Sequence, residues 1–353
     1  MRRAIQIVGL SGIAVALVAC GSGAALHHQS AEPVSPKLVR GALLPGKVAA
    51  MDWVSGHHGW MMIDRLNRRS YVTSVVLYHT TDQGRQWQVV ARYPKEDAAL
   101  SALSSVSQLV FTGADHGMAL ADLGVALGHT KYQLLRTTNG GRSWNPVKTL
   151  WRVSGPEVMA FSSVNRGLIV GGTGAGTPAS AMETEDGGRH WAGVPMPKPS
   201  SSRIDYPLSA TTAVFSSGRD GFLVNAYWRT TAQGQLVPML QELRTRTGGQ
   251  TWKALPLPTP RGVGTVTALS FSSPTSGWVA LYSLKHNQTI IESTADGGRH
   301  WRQFSGKPLI GMLGVLVQAS ARAGCTAMPS QTQMTTRLWC TVDGGTTWFA
   351  PQL

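Results

Sequence analysis

Six segments of this 353-residue chain repeat one eight-residue template. They read TTDQGRQW, TTNGGRSW, TEDGGRHW, TRTGGQTW, TADGGRHW and TVDGGTTW, and they end at Trp87, Trp144, Trp191, Trp252, Trp301 and Trp348. Successive tryptophans stand 57, 47, 61, 49 and 47 residues apart. Thr80, Thr137, Thr184, Thr245, Thr294 and Thr341 open the copies, and a glycine stands three residues before every Trp. The third position holds Asp82, Asn139, Asp186, Asp296 and Asp343, with Thr247 in the fourth copy. A short Asp or Asn side chain accepts hydrogen bonds from backbone N–H groups just downstream, and glycine takes the positive φ of a tight turn. The template therefore reads as a hairpin turn whose Trp opens the return strand and offers apolar surface to its surroundings. Because Thr247 has neither carboxylate nor amide, the fourth turn is expected to be the loosest.

A second pattern precedes each box. FSSVNRGLIV (from Phe161), FSSGRDGFLV (from Phe215) and FSSPTSGWVA (from Phe271) are one motif; WVSGHHGWMM and FTGADHGMAL are relatives, and a degenerate copy ends at Gly324-Cys325-Thr326-Ala327. Each unit then reads strand, glycine turn, apolar strand, loop, strand, box and Trp strand. Four antiparallel strands in about 50 residues are the content of one propeller blade. The expected fold is all-β: a six-bladed β-propeller of four-stranded antiparallel blades, starting near Val48, Val106, Glu157, Thr211, Thr265 and Gly314. Leu38 to Leu44 is placed to add an outer strand to the last blade and close the ring. Seven blades is the alternative, although few residues remain to build one.

The boxes resemble the Asp-box, or bacterial neuraminidase repeat, and the wider unit is similar to the photosystem assembly-factor-like group of repeat propellers. The resemblance runs from about Val48 to Phe349. It implies a propeller whose boxes lie on the face opposite the ligand site, so that Asp82, Asn139, Asp186, Asp296, Asp343 and the six Trp are structural. That group includes sialidases, other glycoside hydrolases, sorting receptors and assembly chaperones, so the resemblance specifies fold rather than function.

The N-terminus reads as an address. Arg2 and Arg3 precede the uncharged apolar run Ala4 to Ala19, too short for a comfortable membrane span and laid out as a secretory signal. It ends in Leu17-Val18-Ala19-Cys20, which resembles a bacterial lipobox. That resemblance implies residues 1–19 as a signal peptide and Cys20 as the lipidated mature N-terminus; an uncleaved anchor is the alternative. Residues 20–37 read as a flexible tether and 38–353 as the propeller domain. The expected location is the outer face of the bacterial cytoplasmic membrane, in the cell envelope, with the lipid as the membrane contact. In such an oxidising compartment Cys325 and Cys340, on strands expected to pair, suit a disulfide, with two buried thiols as the alternative.

The chain carries 32 Lys and Arg against 18 Asp and Glu, a formal charge of +14. Such charge suits anionic lipid or acidic polymers, or serves solubility alone. An exported protein with scattered rather than clustered bases is not expected to bind nucleic acid. No zinc spacing, HExxH, P-loop or GxSxG in the mature chain occurs, so neither metal nor cofactor is expected, and GGTGAG (Gly171 to Gly176) reads as a blade loop.

Loops between second and third strands, and between blades, are expected to form the ligand face. Their bases and aromatics are Arg65, Arg68, Arg69, Lys131, Tyr132, Trp151, Arg152, Arg203, Tyr206, Trp228, Arg229, Arg261, Lys285 and His286. Such a rim stacks on sugars or peptide aromatics and attracts carboxylates. The reading is a monomeric, non-catalytic scaffold for a protein, acidic or glycan ligand. The alternative is an exported sialidase-like glycoside hydrolase. It needs two converging carboxyls, for which Asp64, Asp122 and Asp205 are the candidates.

Overall fold

The structure is a computed structural model that describes residues 41–69, 72–94, 106–126, 129–150, 156–171, 180–195, 204–215, 219–257, 265–304, 309–330 and 334–353. The signal, Cys20 and the tether lie outside the described residues. The described chain begins with β1 (Ala42–Pro45). Blade one holds β2 (Lys47–Trp53), β3 (Gly59–Leu66), β4 (Val72–Thr80) and β5 (Gln88–Pro94). Blade two holds β6 (Val106–Phe111), β7 (Gly117–Ala126), β8 (His129–Thr137) and β9 (Asn145–Leu150). Blade three holds β10 (Pro156–Phe161), β11 (Gly167–Gly171), β12 (Ser180–Thr184) and β13 (Ala192–Val194). Blade four holds β14 (Ile204–Phe215), β15 (Gly221–Thr230), β16 (Leu236–Thr245) and β17 (Lys253–Leu257). Blade five holds β18 (Thr265–Phe271), β19 (Gly277–Ser283), β20 (Gln288–Thr294), β21 (Arg302–Gln303) and β22 (Leu309–Ile310), the last two both pairing with β20. Blade six holds β23 (Val315–Gln318), β24 (Gly324–Pro329) and β25 (Thr335–Thr341).

Every blade is an antiparallel meander, and β1 supplies the fourth strand of blade six by pairing with β25, Ala42 opposite Leu338 and Pro45 opposite Thr335. The first strands β2, β6, β10, β14, β18 and β23 touch in turn, and β23 meets β2, which closes a six-bladed β-propeller. The C-terminus adds a second clasp. Phe349 exchanges backbone hydrogen bonds with Cys340, while Gln352 bonds Arg85 and Trp87 of blade one. Blade four starts at Ile204, earlier than the expected Thr211, because β14 extends through register shifts between Ile204 and Tyr206 and between Pro207 and Thr211.

The core is divided by the seams. Six buried clusters each join two neighbouring blades, as when Trp60, Met62 and Leu77 of blade one meet Phe111, Ala119 and Trp144 of blade two. This is the nearest-neighbour construction that a repeat protein needs, because no blade can bury both its faces alone. The repeated motifs serve the same packing. In blade two the ring of Phe111 lies so close over Gly117 that a Cβ there would sit 2.8 Å from it, and Trp144 meets the same ring edge-on at 6.1 Å. Blades one, three and five repeat the aromatic, glycine and edge-on Trp. In blade six Gln318 stands where the aromatic would be, and Trp278 of blade five covers Gly324 instead.

The boxes are closed by one bonding scheme. In blade three the Thr184 hydroxyl donates to Asp186 Oδ1 at 3.0 Å and accepts from Gly188 N at 2.9 Å, while Asp186 Oδ1 accepts from His190 N at 2.9 Å. The fourth box corrects the expectation of a loose turn: Thr247 Oγ1 accepts Thr251 N at 2.9 Å and lies 3.2 Å from Thr245 Oγ1, so a hydroxyl replaces the carboxylate as acceptor. The first glycine of the box also donates to the preceding turn of its own blade, at 2.7 to 2.9 Å in blades two to six. In blade one Gln83 holds that place at φ 66°, and its bond to His57 O stretches to 3.5 Å. A side chain in the left-handed region carries the steric cost that glycine avoids.

Cys325 and Cys340 form the disulfide, facing each other in register on β24 and β25. It lies fully buried at the seam between blades six and one, beneath Gly84.

Candidate functional site

The two ends of the propeller differ in chemistry. At one end the boxes adjoin the turns between first and second strands. Those loops carry Arg85, Arg142, Arg166, Arg189, Arg219, Arg246, Arg299 and Arg322 against Asp82, Asp115, Glu185, Asp186, Asp220, Asp296 and Asp343, which is near neutrality. The box carboxylates are occupied by their own turns. Asp186 and Asp296 are held well below the usual carboxylate range by the backbone N–H groups of His190 and His300, whose rings also lie 2.6 and 2.5 Å from the second carboxylate oxygens. Carboxylates bound in this way are unavailable for acid–base chemistry.

At the opposite end the described bases Lys47, Arg65, Arg68, Arg69, Lys131, Arg229 and Lys285 outnumber the described carboxyls Asp64, Asp122 and Asp205. Its best-defined part is blade one. Lys47 opens β2 and pairs in register with Asp64 of β3, both on the face turned toward blade two. Lys47 is exposed, whereas Asp64 is 8% exposed and its Oδ1 meets no hydrogen-bond partner. Burial pushes the Asp64 carboxyl up to about 7, against the opposing pull of Lys47. Its chain neighbour Arg65 faces the seam with blade six, where Nη2 donates to Tyr78 Oη at 3.2 Å. Arg68 and Arg69 stand exposed on the following turn, and Asn67 Oδ1 accepts from Arg69 N at 2.9 Å, which fixes the turn.

The other expected rim residues divide into three groups. Trp151, Arg152, Arg203 and Arg261 lie outside the described residues. Tyr206 of β14 is in register with Trp228 of β15, and Arg229 with Ile204, so these positions share one end of blade four. Tyr132 departs from the expectation of an exposed rim: it is 5% exposed and packs with Leu134 and Met159 between blades two and three. It alternates in phase with Leu134 along β8, a period-two signal that was present in the sequence. Lys47 was not singled out there, because only strand pairing places it beside Asp64.

The rival acids stand on three different blades, one, two and four. Asp64 and Asp122 each stand five residues after the glycine that opens their second strand, one strand behind the channel-lining β2 and β6. Asp64 is buried in the first seam and Asp122 is exposed in the next blade. Asp205 lies on the inner strand β14. A further carboxyl, the half-buried Asp52 on β2, accepts Phe111 N at 2.6 Å across the seam between blades one and two. Burial raises it to about 6 even so. Ser270 Oγ accepts Gln318 N at 2.9 Å in the same way between blades five and six, so this position is an interblade staple. Among the described residues no three His, Cys, Asp or Glu gather to hold a metal.

The raised carboxyl of Asp64 sets the sign of one pH dependence. Asp64 keeps its proton in the fold up to about 7, whereas the unfolded chain releases it near the ordinary carboxylate value of 3.8. The folded state therefore binds more protons across this window, so stability is full below it and falls as pH rises through it. Asp64→Asn is expected to raise stability on the order of 2–4 kcal/mol at pH 8 and to change it little at pH 4. Urea unfolding at the two pH values checks this; an equal shift at both would contradict it.

This geometry defines a six-bladed β-propeller with a near-neutral box end and a cationic opposite end. No family model matches the chain, and no curated protein matches it in sequence. Solved structures share its fold. The α-L-arabinofuranosidase Arb93A of Fusarium graminearum, complexed with an iminosugar inhibitor, is 10% identical with a TM-score of 0.57, over 87% of this chain and 98% of that one. The α-L-arabinanase of Penicillium chrysogenum, complexed with arabinobiose, is 11% identical with a TM-score of 0.55, over 87% and 98%. YCF48 bound to D1 peptide is 16% identical with a TM-score of 0.44, over 91% and 86%.

Proposed function

We propose that this chain is a lipid-anchored, extracytoplasmic Asp-box propeller that works as a non-catalytic binding scaffold, taking an anionic protein or glycan ligand at the end opposite its boxes. The observation that carries the reading is the charge asymmetry. Bases and acids nearly balance at the box end, whereas Lys47, Arg65, Arg68, Arg69, Lys131 and Lys285 face few carboxyls at the other. Such a rim steers and orients an anionic partner. The anchor rests on Leu17-Val18-Ala19-Cys20. Crosslinked pull-down of the anchored protein from its own membranes, read by mass spectrometry, tests the reading. A reproducible partner lost when Trp151, Arg152 and Trp228 are changed to Ala supports it, and recovery of no ligand would overturn it.

Glycoside hydrolysis is the second reading, favoured by two observations. Asp205 stands on a channel-lining strand, and Asp64 is a carboxyl held protonated near neutrality, the state an acid catalyst requires. Hydrolysis of arabinan or a fluorogenic sialoside, abolished by Asp205→Asn, would establish this alternative.

A further inference from the structure

The end of blade five on the cationic side carries exposed apolar surface that no part of the fold explains. Leu284 is 76% exposed, and Ile310 and Met312 are 49% exposed each. The other large exposed apolar side chains, such as Leu43, Val54 and Val89, are on other blades. Segment 309–313 alternates: Leu309 and Leu313 are buried in the seam with blade six, and the residues between them turn Ile310 and Met312 to solvent. The turn from Leu284 to Asn287 is bound to this segment. Gly311 N donates to Asn287 O at 2.8 Å and Thr289 Oγ1 donates to Gly311 O at 2.6 Å, while Tyr282 Oη donates to Asn287 Oδ1 at 3.0 Å within the hairpin itself. Ile310 pairs with Gln288, the residue that follows the turn. Gly311 in turn sits against the Met328 side chain of blade six. Leu284, Ile310 and Met312 are thus displayed by one braced platform, and an apolar surface held rigidly in water marks a contact site.

The rim around it carries the positive charge of Lys285, exposed on the same turn as His286. The described carboxyls of blades five and six, Glu292, Asp296 and Asp343, all stand toward the box end. An occupant must therefore bring apolar side chains for the platform and carboxylates for its rim. We infer that this platform docks an acidic amphipathic segment of a partner protein. The inference rests on the proposed reading of this end as the binding face and names the class of partner.

A photo-crosslinking residue placed at position 284 of the full-length anchored protein, with the same residue at position 89 as control, tests it in native membranes. The expected result is a crosslink from position 284 to one protein segment that carries both carboxylates and large apolar side chains. Its yield should drop about tenfold when Lys285→Glu and Met312→Ser are added, with the melting temperature unchanged. No crosslink above the position 89 control would overturn the inference. So would crosslinks to lipid, to a second copy of the chain or to a segment without carboxylates. If a partner is still recovered, and lost when Trp151, Arg152 and Trp228 are changed to Ala, while position 284 stays silent, the platform inference fails and the scaffold reading stands.

Discussion

Placing a methyl group on Gly141 is expected to lower stability by about 3 kcal/mol, the sum of a left-handed backbone cost near 1–2 kcal/mol and an overpacking cost of similar size. Gly141 has φ 88°, and a Cβ built on it would run into Leu77 of the neighbouring blade. Other box turns close onto the preceding blade at this position, as Gly188 does on Leu134 and Gly345 on Phe304. Gly344 supplies the control. Its φ is 76°, but a Cβ there would meet nothing within 4 Å, so Gly344→Ala should show the backbone cost alone, about 1–2 kcal/mol. Urea unfolding of the two variants separates the contributions. Equal losses would mean that the boxes do not set the spacing of the blades.

Removing the disulfide is the second large effect. The crosslink spans a sequence separation of 15, and the chain-entropy model gives about 3 kcal/mol for a loop of that length. Its position adds a packing consequence, because both sulfur atoms lie under Gly84 where the last blade meets the first. The ring is closed there by two further devices, the pairing of β1 with β25 and the backbone bonds of Gln352 to Arg85 and Trp87. Cys325→Ala with Cys340→Ala is therefore expected to unfold at lower denaturant while remaining able to fold. A reducing agent should bring the native protein to the variant's midpoint and leave the variant unmoved. A reductant-insensitive native midpoint would contradict this account.

Most of the architecture was legible because it repeats. Six boxes with glycine-turn motifs in register define six blades, and the leftover N-terminal segment matches the strand that blade six lacks. The departures have local causes. Thr247 looked weak because it lacks a charge, yet the turn needs only an acceptor oxygen in reach of Thr251 N, which a hydroxyl provides. Tyr132 was read by its amphipathic tip, whereas its alternation with Leu134 decided its burial. Asp64 and Asp122 share a register position, but only the approach of the next blade determines that the first is buried and the second exposed. The exposed platform of Ile310 and Met312 depends on the short β22 joining β20, a pairing that no local pattern announces.

The central claim is that ligand binding belongs to the cationic end and not to the boxes. Charge reversal tests it most directly. Arg68→Glu with Arg69→Glu alters the exposed turn of blade one, and Arg142→Glu with Arg189→Glu alters two exposed box turns. Recovery of the crosslinked partner from native membranes is compared for both pairs against the unaltered protein. The account predicts about tenfold lower recovery for the first pair and little change for the second. Undiminished recovery with the first pair, or a loss confined to the second, would contradict it.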